Sequence, residues 1–359
     1  MVAERFGGGL ETGPRGRLLC WVVLDRLHAD QSSSPFWQAR FDPDPDEMLR
    51  VLDSSLPAVN LAALDDPENE ELLLECVADS VGAARYYQDP DALDLALADP
   101  RIQAALAPVA TRIAAAAKWW SDPVDPLKQV YVDKREDGSI RPPVFSGARV
   151  VLEAWRNKTT GPGRRHRGQW VGGPWWSTPV SFFTVEDAKR YGEPLPWVAG
   201  TTRSRPGLGA VELLLEEDSF GAPAALCWPV RVRMPVRAFE IDNPDDWMEL
   251  VERYGVDVTG KRIAHWSLAT GLDRRWVIPD WLAVAEDYEV VHLTVNGYLT
   301  TSGRALAVDT GSSTFLAGWN PDMSYWLSDV LEAAGSPTLW VSEEHHPERR
   351  WRLADESAP

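Results

Sequence analysis

Several carboxylates in this chain have neighbours that give them a chemical reading. Asp309 opens the string Asp-Thr-Gly-Ser inside ALAVDTGSSTFL at 305–316, a turn in which two carboxylates sharing one proton can activate water for peptide hydrolysis. That chemistry needs a second Asp-Thr/Ser-Gly, and the chain has none. A lobe that dimerises to supply the partner needs further strands, whereas NPDMSYWLSDVLEAAGSP after the string reads as helical or irregular. Asp309 is therefore expected in a polar β-turn, where Asp and Gly are favoured for backbone reasons. Glu212, inside AVELLLEE, and Glu217, inside the acidic run 216–218 before FGAP, remain as candidate catalytic carboxylates.

Other reactive groups are sparse. The six histidines form no His-x-x-x-His pair and none stands at zinc spacing from a cysteine, so no metal is expected. Gly-x-Ser-x-Gly, a Walker loop and a Gly-x-Gly-x-x-Gly fingerprint are all missing, which removes the hydrolase elbow and the nucleotide P-loop. Cys20, Cys76 and Cys227 are odd in number and far apart; they read as buried thiols rather than a disulfide framework.

The whole chain of 359 residues carries a formal charge of −18, which repels phosphate backbones and anionic bilayers. General nucleic-acid binding and membrane association are therefore not expected, and a cationic protein partner or acceptor is. LLCWVVL at 18–24 follows Arg15 and Arg17 as in a secretory leader, but it meets Asp25 with no small-residue cleavage site,. No run approaches the ~20 apolar residues of a membrane span. The expected location is cytoplasmic.

The elements that must position any site divide the chain. Residues 1–45 form an N-terminal segment, with 1–17 loose and 18–27 a strand or short helix. The stretch 46–132 reads as a helical domain. Leu73, Val77, Val81 and Ala84 recur at helical spacing, while Asp99 and Pro100 open a second helix that Pro108 should kink or divide,. Residues 133–143, DKREDGSIRPP, read as a linker,. Beyond them, 144–335 is an α+β domain with an antiparallel or mixed β-sheet, and 336–359 a charged C-terminal tail. Expected strands are ARVVLEAW, AVELLLEE, CWPVRVRMPVRAFEI, YEVVHLTV and RALAV,. DWMELVERYGV from Asp246 and DWLAVAEDYEV from Asp280 share Asp-Trp and then Glu, Tyr and Val at matching positions. Each predicts an Asp-capped short helix pinned by Trp and Tyr.

Tryptophan, at 18 of 359 residues, is the compositional anomaly. Trp175 and Trp176 precede a polar Ser-Thr-Pro after a Gly-rich approach, RRHRGQWVGGPWWSTP. Taken with PVFSGARVVLEAW before it, WWSTPVSFFTVEDAKRYG and SRPGLGAVELLL, the order of elements resembles the ADP-ribosyltransferase family over about 70 residues. The resemblance implies an NAD-consuming enzyme, acting by transfer to an acceptor or by hydrolysis. It implies Glu212 as the carboxylate that opens a strand beside the ribose. Ser177 and Thr178 would brace that site, with Trp175 or Trp176 facing the nicotinamide. Arg149, His166 and Arg203 would be the cationic contacts. The chain departs from the family's pattern at Ser146-Gly147, Pro179 and Ala210. The competing reading is a non-catalytic acidic protein-interaction module with a Trp-rich surface.

Overall fold

The computed structural model describes residues 6–354 apart from 67–68, 135–141, 164, 167–168, 171–172, 181–195, 206, 218–220, 234 and 346–347. The fold is α+β, with helices gathered toward the N-terminal side and strands toward the C-terminal side. The first six helices are α1 (Pro14–Arg26), α2 (Pro35–Gln38), α3 (Pro45–Ser55), α4 (Glu70–Gly82), α5 (Ala92–Leu97) and α6 (Pro100–Ala116). Helix α7 (Ala148–Thr159) follows, and then α8 (Pro244–Tyr254), α9 (Thr259–Thr270), α10 (Trp281–Asp287) and α11 (Val295–Thr301).

Helix α1 corrects two expectations. Pro14 takes its first position, where the missing N–H costs nothing, so residues 14–17 are helical rather than loose and the helix is longer than 18–27. Every residue from Arg15 to Leu24 is buried. A helix enclosed on all sides needs no polar face and shows no helical period in sequence. It packs on α4, α6 and α11. Gly13, before it, lies so close to α11 that a Cβ would stand 2.2 Å from the Leu299 carbonyl oxygen.

Pro108 neither ends nor divides α6, which runs on to Ala116. It sits on the solvent face, as does Ala104 one turn earlier, so the carbonyl that loses its donor is left to water. Asp99 caps this helix through the Arg101 N–H at 2.8 Å.

The strands are β1 (Gln129–Asp133), β2 (Arg165–His166), β3 (Gln169–Trp170), β4 (Ala199–Arg205), β5 (Gly209–Ala210), β6 (Ala224–Val232), β7 (Ala238–Ile241), β8 (Gly255–Asp257), β9 (Arg275–Pro279) and β10 (Val290–Leu293). They continue as β11 (Ala305–Ala307), β12 (Ser312–Phe315), β13 (Met323–Trp326), β14 (Leu331–Ala333), β15 (Thr338–His345) and β16 (Glu348–Leu353). The large sheet has the order β16-β15-β6-β1-β4-β13-β10-β7, with β14 beside β6 and β5 beside β4. It is antiparallel except for the parallel pair β7 and β10. A second sheet runs β11-β12-β9-β8.

Five expectations are overturned here. ARVVLEAW is helix α7, with Ala148, Val151, Leu152, Trp155 and Thr159 buried at helical spacing. Its first N–H groups, those of Gly147 and Ala148, donate to the Asp329 carboxylate at 3.0 and 2.9 Å. AVELLLEE is no strand: β5 ends at Ala210 and Val211–Leu213 is a 3-10 turn. The stretch after Asn320, read as helical or irregular, supplies β13 to the middle of the large sheet. The charged tail supplies the β15–β16 hairpin. Asp133, placed in the linker, closes β1, while 135–141 lie outside the described residues.

Of the two Asp-Trp helices, α10 is capped as expected, Asp280 accepting from the Leu282 N–H. In α8 the cap is Asn243 instead, and Asp246 is the reciprocal partner of a capping box,. Trp247 and Trp281 are both inaccessible and lie 6.2 Å apart. Tyr254 closes the pair by donating to Asp287 at 2.5 Å.

A methyl group at Gly13 has backbone, not a movable side chain, in its way. Gly13→Ala is expected to lower stability by about 1–3 kcal/mol, the usual cost of overpacking. Gly82→Ala, where a Cβ meets nothing within 4 Å, is the control and leaves the denaturation midpoint unchanged or higher.

Candidate functional site

A cavity of about 260 Å3 lies against strands β1, β4 and β13 of the large sheet, with Val151 of α7 beside it. Its floor is Tyr131 and Val132 of β1, Gly200 of β4, and Met323 and Tyr325 of β13; Val151 of α7 and Trp197 close it, and Glu212 and Asn320 contribute polar groups. Tyr131 meets the Trp197 ring edge-on at 4.7 Å, and Phe145 stacks on Trp197 at 5.6 Å. The cavity thus has an aromatic wall and one carboxylate, the combination that orients a planar polar ring.

Glu212 reaches the cavity because its backbone turns there. Glu216 follows four positions later, and the 3-10 turn brings both carboxylates to Lys134 at the end of β1, at 3.3 and 2.6 Å. Burial raises the Glu212 pKa above its ordinary value, and Lys134 opposes that rise. Tyr325 stands half-buried beside Glu212, its hydroxyl approaching Thr178.

The other sequence candidates are distributed differently. Trp175, Trp176, Ser177 and Thr178 form a strip of backbone whose carbonyls are all used by side-chain donors. They accept from Trp266 Nε1 at 2.6 Å, Arg262 Nε at 2.9 Å, Trp281 Nε1 at 2.9 Å and Trp155 Nε1 at 3.0 Å, in that order. Ser177 is further fixed to Ala317, its N–H donating to the Ala317 carbonyl at 2.9 Å. None of Trp175, Trp176 or Ser177 lines the cavity. Thr178 touches its edge through Tyr325.

Arg149 projects from α7 into solvent and pairs with Glu286 at 3.0 Å and Glu153 at 3.3 Å. Arg203, on β4, is held by Asp122 at 3.1 Å and Asp322 at 3.3 Å. Neither is placed to meet a pyrophosphate in the cavity. His166 belongs to the β2–β3 hairpin, and its side chain is outside the described residues.

Glu217 is buried behind the cavity, its N–H donating to the Asn320 side chain at 2.9 Å. Burial pushes its carboxyl up to about 8. Tyr298 and the N–H groups of Gly318 and Trp319 face it, yet neither carboxyl oxygen completes a hydrogen bond. It is a neutral acid in the interior at neutral pH rather than a second charged group in the cavity.

Asp309 behaves as the turn reading expects. It is exposed, joins β11 to β12, and accepts from the N–H groups of Gly311 and Ser312 at 2.7 and 2.8 Å. Those bonds hold its pKa below the ordinary value.

Most tryptophans fill the interior, and Trp21, Trp155, Trp247, Trp266, Trp276, Trp281, Trp319 and Trp326 are essentially inaccessible. A half-exposed aromatic pair remains in Trp37 and Phe41, at 48% and 72% exposure. The three cysteines are buried and unbridged. Among the described residues no cluster of His, Cys, Asp or Glu is suited to a metal, and no helix is long and apolar enough to cross a membrane.

No family model, curated protein or solved structure matches this chain.

Two outcomes follow from the carboxylates outside the cavity. Asp309→Asn keeps the acceptor oxygen of the turn and is expected to leave the melting temperature unchanged. For Glu217 the folded pKa lies above the unfolded value of about 4.5, so the folded state binds the extra proton and stability falls as pH rises from about 4.5 to about 8,. Glu217→Gln mimics the protonated acid. It should match the wild type near pH 4.5 and exceed it at pH 8.5 by on the order of a few kcal/mol, read by urea denaturation at the two pH values.

Proposed function

We propose that the chain is an NAD-consuming enzyme of the ADP-ribosyltransferase type, acting on the nicotinamide–ribose end of NAD in the Glu212 cavity. The observation that carries this reading is one half-buried carboxylate, steadied by a lysine, inside an aromatic-walled cavity. At about 260 Å3 the space falls just under the roughly 300–1,000 Å3 of whole-ligand pockets. It therefore suits a ring with its sugar, leaving the rest of the dinucleotide outside.

In the proposed reaction the bond between nicotinamide nitrogen and ribose C1 breaks, and its electron pair leaves with nicotinamide. Positive charge develops on the ribose ring, and a fixed carboxylate beside it is the main electrostatic demand of that oxocarbenium-like state. Glu212 meets the demand, and it could also accept a hydrogen bond from a ribose hydroxyl. Lys134 opposes the rise in pKa that burial imposes on Glu212. Trp197 and Tyr131 face the departing ring. Water or an acceptor side chain then forms the new bond to C1, losing its proton to solvent or to a nearby base.

Support for the reading is chemical and local. The first strand and the Glu-bearing strand that the resemblance implies are a helix and a 3-10 turn here, and the expected arginines are engaged elsewhere. The competing reading, a docking module, retains the exposed Trp37–Phe41 pair, with Arg40 lying 5.3 Å over the Trp37 ring.

The experiment is incubation of the purified protein with NAD, followed by measurement of free nicotinamide. The expected result is release by the wild type. In Glu212→Gln, turnover is expected to fall by ~10² or more while NAD still quenches tryptophan fluorescence, as when a stabiliser of the charged transition state is removed. Absence of both release and quenching in the wild type would overturn the reading.

A further inference from the structure

A second cavity, of about 220 Å3, opens where α1, the chain before α5 and the β11–β12 hairpin meet, and Arg15, Arg17 and Arg85 all line it. Two of these guanidinium groups are removed from water, Arg15 being 1% and Arg17 7% exposed. Arg15 gives Nη1 to the Ser80 carbonyl at 3.1 Å and Nη2 to the Asp94 carboxylate. Arg17 gives Nη1 to the Thr12 carbonyl at 3.0 Å. The Nε–H groups of both are buried without an acceptor among the described residues. Arg85 stands at the exposed rim, one Nη bonded to the Gly82 and Ala84 carbonyls at 2.9 and 2.7 Å.

The charge in this cavity is not balanced. Asp94 is the one carboxylate in the lining, set against three guanidinium groups. Behind the cavity Arg304 adds another cation, bound to the carbonyls of Phe6, Gly7 and Thr300. A buried cation is costly unless it is paired, and burial has already pushed the Arg17 pKa down to about 10. Such a concentration of arginine in a chain of net charge −18 runs against the protein's overall field. Leu95 and Phe315 give the remaining wall an apolar part, beside Tyr86 and Thr270.

We propose that this cavity binds a small phosphomonoester, with its phosphate on Arg15, Arg17 and Arg85 and a compact apolar body against Leu95 and Phe315. Three guanidiniums against one carboxylate leave two positive charges, which a phosphate dianion neutralises. The forked donors match its oxygens in a way that a lysine does not. A flat monocarboxylate supplies half that charge and fewer acceptors. The site is separate from the Glu212 cavity and does not depend on the reaction proposed there.

The test is titration calorimetry of the full chain with phenyl phosphate, benzoate and phenol at matched ionic strength. Phenyl phosphate is expected to bind, benzoate at least tenfold more weakly, and phenol not at all. Arg85→Gln changes an exposed rim residue and should weaken phenyl phosphate at least tenfold. Arg17→Gln should do the same if it folds. Glu212→Gln should bind phenyl phosphate as the wild type does, which separates this site from the first. Absence of binding, benzoate binding as tight as phenyl phosphate, or an Arg85→Gln variant with unchanged affinity would each overturn the proposal.

Discussion

A run of backbone that crosses a protein core without strand neighbours must still satisfy every carbonyl, and Trp175 to Thr178 is such a run. The constraint is met by one donor from each of four side chains, three of them indole N–H groups. Indole suits the task because it offers a single donor at the edge of a large apolar body, so it fills volume and ends one hydrogen bond together. Helices α7, α9 and α10 supply those donors and are thereby held around the strip. The abundance of tryptophan follows in part from this arrangement.

The strip also fixes the loop that reaches the cavity. Ser177 clasps Ala317, and Gly318, at φ 68°, lies where a Cβ would come within 2.5 Å of Trp176. Asn320 then receives the Glu217 N–H and lines the Glu212 cavity. Two residues on, Asp322 is the one described residue other than glycine with a positive φ, 56°, a conformation that aspartate tolerates better than most side chains. Its buried carboxylate accepts from Thr202 Oγ1 at 3.1 Å and the Arg203 N–H at 2.9 Å, and lies 3.4 Å from His292 Nε2. Burial alone would lower the His292 pKa, but Asp322 and Glu240 together lift it to about 9. Strands β4, β13 and β10 are thus cross-linked by charge directly under the loop that shapes the cavity.

Local signals were readable in the sequence, and contacts between distant segments were not. The α4 and α6 helices, the Asp99 and Asp280 caps and the β6 and β10 strands follow from spacing and capping residues within a few positions. Helix α1 escapes because burial on all sides erases its period. In α7 the helical spacing was present, but Val150, Val151 and Trp155 also suit a strand, and the packing of α7 on α10 decides between them,. Strand β13 shows no alternation because three of its four residues are buried. Glu212 could be singled out as a carboxylate in an apolar run. Its cavity partners Tyr131, Trp197 and Tyr325 come from three separate strand regions, and nothing local marks them as neighbours. Arg149 and Arg203 were recognisable as cations, but not as cations already engaged by carboxylates. Arg15 and Arg17 stood in plain sight beside an apolar run that disguised them as part of a leader.

The burial of α1 also sets the order of events during synthesis. One of its faces is covered by α11, which is made more than 250 residues later, a delay on the order of tens of seconds at ordinary elongation rates. Until then a helix buried from Arg15 to Leu24 in the finished fold has to wait with that side exposed. Closure of such distant contacts is slow, so the nascent chain presents a long window for capture by chaperones or by other unfinished copies of itself.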